Sequence, residues 1–90
     1  MPDFESNEEF YDFVRAFSDK LREANLEFEA KKIRHRLDEV AWTTSSELFG
    51  ELGRLLLELK RDAAPNLSQA LQGDLERCLN AIRKIWPDLK

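Results

Sequence analysis

The residue types able to do chemistry are sparse in this chain: one cysteine, Cys78; one histidine, His35; and a hydroxyl cluster at Thr43-Thr44-Ser45-Ser46. A lone cysteine forms no internal disulfide, and no Cys/His spacing closes a zinc site. Cys78 falls within an apolar helical stripe, where a thiol behaves as a small hydrophobe rather than as a nucleophilic thiolate. The hydroxyls sit where a helix must start, and no second histidine exists to activate one of them. Carboxylates are abundant, but most occupy polar faces with basic neighbours. Asp74 instead falls at the edge of an apolar stripe, where a carboxylate requires a cap, an arginine or a Trp indole N–H. The chain has no glycine-rich phosphate loop and no paired Glu-x-x-His motif of the kind that holds two metals in a bundle. These readings predict a noncatalytic protein with no metal and no cofactor.

His35 has one further chemical reading. The stretch His35-Arg36-Leu37-Asp38-Glu39 is similar, at His and Leu, to the motif with which histidine phosphotransfer domains present a phosphoacceptor midway along a bundle helix. The resemblance covers five residues and implies a phosphohistidine at His35. Asp38 and Glu39 stand where that family carries a lysine and then a small residue, and their charge repels a phosphoryl group.

Binding chemistry is better supplied. Phe28 lies opposite the apolar stripe of its helix, with Lys31, Lys32, His35 and Glu39 on the same side. An aromatic anchor with a charged rim suits a partner-binding patch. In the competing reading the N-terminal segment folds back so that Phe4 covers Phe28, or Phe28 is an isolated exposed apolar residue. Lys31, Lys32, Arg34, His35 and Arg36 make the one basic run, spread over more than half the helix circumference. Glu27, Glu29, Asp38 and Glu39 neutralise it, which predicts a solvated face laced with ion pairs. No glycine-containing turn leads into a basic recognition helix, so no nucleic-acid partner is expected.

The elements that must position these residues follow from apolar spacing, which is helical throughout and predicts an all-α protein, a small antiparallel four-helix bundle with short loops. Ser6 with Glu9 forms a capping box, and helix 1, about 7–24, carries Phe10, Phe13, Val14, Phe17, Leu21 and Ala24 on one face. Asn25 can end it by adopting a left-handed conformation. Helix 2, about 26–42, buries Leu26, Ala30, Ile33, Leu37, Val40 and Ala41; it is either a separate helix or the continuation of one long kinked helix. Thr44 with Glu47 forms a second capping box before helix 3, about 45–62, whose stripe is Leu48, Leu52, Leu55, Leu56 and Leu59. Ala63-Ala64-Pro65-Asn66 breaks it. Asn66 with Gln69 is expected to cap helix 4, about 67–86, which carries Leu67, Leu71, Leu75, Cys78, Ile82 and Ile85 and stops at Trp86-Pro87. Trp42 and Trp86 are expected to meet at one end of the bundle.

Helix 3 has a second face that its leucine stripe does not require: Ser46, Gly50, Gly53 and Leu57. Two glycines inside a helix cost about 1 kcal/mol each relative to Ala, and close approach of another helix backbone recovers that energy. The face serves either packing within the chain or the seam of a homodimer.

Charge and size complete the reading. The 90 residues carry a net charge of −4, and residues 1–25 hold seven acidic against three basic groups while the remainder balances. An acidic chain has no counterion-release drive toward DNA, RNA or anionic lipid. No apolar run approaches the roughly 20 residues of a membrane span, and the start of the chain is acidic, so a cytoplasmic protein is expected. The expected function is binding of another protein, as an inhibitor, immunity protein or adaptor, with the acidic first helix steering a basic partner. Self-association through helix 3, or phosphotransfer through His35, are the alternatives.

Overall fold

In the computed structural model, which describes Phe4 and residues 6–39, 45–63 and 66–85, every regular element is helical. The helices are α1 (Asn7–Glu23), α2 (Glu27–Arg34), α3 (Ser45–Ala63) and α4 (Gln69–Ile85), and α2 runs on as a π turn over His35–Glu39. Expectations that rest on Val40, Ala41, Trp42, Thr44, Pro65 and Trp86, and on the side chains of Ser46 and Ile85, lie outside the described residues.

Ser6 caps α1 as its spacing predicts, its hydroxyl accepting the Glu9 N–H at 3.2 Å. The other end of α1 settles whether α1 and α2 are one helix. Asn25 has φ 66°, the Leu26 N–H reaches the Leu21 carbonyl at 2.9 Å, and the Asn25 N–H reaches that of Arg22 at 3.1 Å. This is the paired bonding of a Schellman ending, with Asn in the left-handed position usually given to Gly. The chain reverses in three residues, and α2 is a separate helix.

The cap of α4 differs from the expected one. Ser68, not Asn66, accepts the Leu71 N–H, at 3.2 Å, and the Gln72 side chain donates to the Leu67 carbonyl at 3.0 Å. Asn66 stands two residues too early to serve a helix that begins at Gln69.

Cross-helix partners run in opposite directions between α1 and α2 and between α1 and α4, where Arg77 lies over Phe13 and Asp74 meets Lys20, as in an antiparallel bundle. Arg15 and Asp19 of α1 meet Asp38 and Arg34; Arg36 approaches Glu51 of α3; Lys60 of α3 pairs with Glu76 of α4; and Lys20 of α1 pairs with Asp74. α1 packs most extensively on α2, and α3 on α4. Ser18 and Ala30, both small and buried, lie on the α1 and α2 faces that meet, and Ser18 satisfies its hydroxyl on the Arg15 carbonyl at 2.7 Å.

The core holds most of the expected stripes: Phe10, Val14, Phe17 and Leu21 from α1, Ala30 and Ile33 from α2, the five stripe leucines of α3, and Leu71, Leu75, Cys78 and Ile82 from α4, with Phe13, Leu26 and Leu37 partly buried against it. Ala24 is exposed, because α1 has already ended. Phe49, Leu79 and Ala81 are buried beyond those stripes. Phe4 does not cover Phe28. It is 4% exposed, with its ring 5.3 Å from Phe10 and 5.4 Å from Phe13, and the Arg77 guanidinium lies 4.9 Å from both the Phe4 and Phe13 centroids. Phe10 continues the cluster to Phe49 at 5.5 Å, joining the two halves of the bundle.

Candidate functional site

Phe28 opens the candidate site. It is the exposed large hydrophobic side chain of the described residues, 67% accessible on the first turn of α2. Burying its ring would return roughly 2 kcal/mol, so the exposure is a standing cost that a bound partner would relieve. Lys32, one turn on, places its ammonium 4.5 Å from the ring centroid. The i, i+4 spacing dictates this contact, and the ammonium covers part of one ring face. Lys31 and His35 lie exposed on the same side, so all four residues expected at the partner-binding face share one surface.

Beside this ridge lies a cleft of about 60 Å³ between α2 and α3. Ile33, Leu55 and Leu59 form its floor, with Glu29, Lys32, Glu58 and Asp62 on the rim. It forms because α2 packs less extensively on α3 than on α1. Arg61 chelates the Asp62 carboxylate at 3.0 and 3.3 Å and holds that group below the usual carboxylate range. Glu29 and Glu58 make no ion pair among the described residues. The cleft did not stand out from the sequence, although a signal existed: Leu55 and Leu59 lie at the edge of the α3 stripe, with Glu58 and Asp62 spaced i, i+4 just outside it.

Arg34 and Arg36 of the basic run are engaged by carboxylates, and Arg34 belongs to a larger network. Arg34 reaches Asp38 at 3.0 Å and Asp19 at 3.5 Å; Arg15 reaches both Asp38 and Asp12 at 2.9 Å; Arg22 reaches Asp19 at 3.0 Å. Three arginines and three aspartates thus alternate along the α1–α2 seam. The Asp38 hydrogen bond raises the Arg15 pKa above its ordinary value, against the opposing effect of burial. Asp12 and Asp19, part of the acidic excess of helix 1, neutralise this chain's own arginines, which leaves Glu8, Glu9 and Glu23 as exposed α1 carboxylates.

His35 lies in the π turn with Nδ1 3.2 Å from a Glu39 carboxylate oxygen. A phosphoryl group at Nδ1 would meet that carboxylate directly. Cys78 is fully enclosed, and burial, assisted by the negative charge of Asp74, pushes its thiol up to about 12, which keeps it protonated and unreactive at neutral pH. Among the described residues, Asp74 pairs with Lys20, at 2.9 Å.

On the second face of α3, Gly53 is buried within the chain while Gly50 and Leu57 are half-buried, Leu57 packing against the core. Gly53 lies at nearly the same helical bearing as Lys60, which pairs with Glu76 of α4. Among the described residues, no group of three or more His, Cys, Asp or Glu is placed to hold a metal ion, and no helix is long and apolar enough to cross a membrane. Comparison with family models, curated proteins and solved structures finds no match to this chain.

Proposed function

We propose that this protein is a noncatalytic protein-interaction module whose docking face is the outer side of α2, with Phe28 as the anchor and Lys31, Lys32 and His35 as its rim. The observation that carries the reading is the juxtaposition of a two-thirds exposed phenyl ring with a neighbouring apolar cleft. Aromatic anchors beside shallow clefts concentrate binding energy in interfaces, while surrounding charges set orientation and encounter rate. The thiol is enclosed and protonated, and the histidine faces a carboxylate, so the residues best suited to chemistry are ill placed for it.

The test is quantitative comparison of proteins captured by the wild-type chain and by Phe28→Asp, after circular dichroism has shown equal helicity and melting. A partner retained by wild type and lost by Phe28→Asp supports the reading. Identical captured sets from the two chains refute it.

A further inference from the structure

The Phe28 face is an aromatic ridge beside an apolar cleft; the ridge is mainly basic and the cleft rim mainly acidic, with Lys32 on the boundary between them. The ridge is flanked by cations: Lys31 makes no ion pair among the described residues, and Lys32 directs its ammonium to the phenyl ring. The cleft is rimmed by Glu29, Glu58 and Asp62, of which Glu29 and Glu58 make no ion pair among the described residues, and Lys32 stands on the wall that the cleft shares with the ridge. Within one copy, Phe28 and the cleft stand side by side on one surface, and the ring, at 67% exposure, is not folded into the cleft. A knob and a complementary hole on one surface are what an isologous contact needs, because a single two-fold rotation then satisfies both at once.

We infer that the occupant of this cleft is Phe28 of a second copy of the chain, forming a two-fold dimer in which Lys31 and Lys32 of each copy meet Glu29 and Glu58 of the other. The inference rests on the reading of the Phe28 face as a docking surface and names its partner. The cleft is smaller than the roughly 150 Å³ that encloses a benzene ring, so the ring enters by its edge and one face stays beside the Lys32 ammonium. The resulting dimer is weak and salt-sensitive, since its charge pairs lie at a rim. The seam uses α2 and the C-terminal half of α3, not the Gly50/Gly53 side.

Sedimentation velocity decides this over a concentration range of about 10 μM to about 1 mM, at low and moderate salt. Wild type is expected to form a concentration-dependent dimer, and Phe28→Glu to raise its dissociation constant at least about tenfold with unchanged helicity. Lys32→Glu and Glu58→Lys each place like charges across the seam and dissociate it. An equimolar mixture of these two variants restores opposite charges at both contacts and recovers a heterodimer. A wild-type chain monomeric throughout overturns the second-copy assignment, while the docking face itself is judged separately by Phe28-dependent capture of another protein. A dimer that survives Phe28→Glu lies elsewhere on the molecule and also overturns the inference, as does a mixture that fails to associate.

Discussion

Asp38 of the π turn accepts the Nε–H of Arg15 at 2.9 Å, closing a contact between residues 23 apart in sequence. Its other carboxylate oxygen takes Arg34 at 3.0 Å, so one aspartate joins α1 to the end of α2. Removing it leaves two guanidinium groups facing one another across the seam. Because Arg15 and Asp38 are each about one-third exposed, solvent screening limits the effect. Asp38→Ala is expected to lower stability by about 1 kcal/mol, with the loss shrinking in high salt. Urea unfolding of Asp38→Ala, Arg15→Ala and the double variant measures the coupling, and an additive pair would show that the contact contributes nothing.

Asn25 holds a left-handed backbone, φ 66°, where a Cβ-bearing residue other than Asn or Asp is strained. Asn25→Ala should destabilise the fold by about 1 kcal/mol, whereas Asn25→Gly should be neutral or slightly stabilising. Thermal melts of the two variants check the sign difference. Equal losses would place the importance of Asn25 in its side chain rather than its backbone.

Phe4 and Arg77 make a cap over the aromatic cluster. Phe4→Ala uncovers one side of Phe10 and Phe13 and is expected to cost about 2 to 3 kcal/mol, while Arg77→Ala should cost less than about 1 kcal/mol. Chemical denaturation separates the two contributions. A Phe4 variant as stable as wild type would mean that the ring adds no net burial.

The raised thiol pKa of Cys78 makes stability depend on pH in one direction. Below the ordinary value of 9.0 the thiol is protonated in both states; between 9.0 and about 12 the unfolded chain releases its proton and the folded chain does not. The unfolded state then binds fewer protons, so stability falls as pH rises, by up to about 1.4 kcal/mol per unit. Comparing wild type with Cys78→Ala at pH 8 and pH 10.5 isolates this group from tyrosine and lysine titration. Wild type should lose about 2 kcal/mol more than the variant over that interval, and parallel losses would show that the thiol is solvated.

Features carried by one helix at a time were legible in the sequence. The Ser6 cap, the Asn25 ending and the exposure of Phe28 all follow from local spacing and side-chain chemistry. The Ser68 cap was missed because Asn66 offers an equivalent oxygen two residues earlier, and spacing alone does not decide which one the backbone presents. Phe49 fits the α3 stripe at Leu52 minus three, yet beside five leucines its membership was passed over. What no single-helix pattern contains is pairing between helices. Arg15 with Asp38, Lys20 with Asp74 and the acid-rimmed cleft exist only once the helices are docked, and the π turn that sets the position of Asp38 has no periodic signature of its own.

The three-residue reversal at Asn25 also bears on how quickly the molecule assembles. α1 and α2 are brought together by a loop whose closure entropy is close to the minimum a helical hairpin can have, and α3 and α4 meet across a similarly short connection. Most contacts are therefore near in sequence, which places the chain among fast folders, on the microsecond to millisecond scale. The Phe10–Phe49 ring pair, which joins the two hairpins, is among the contacts that must instead close a long stretch of chain.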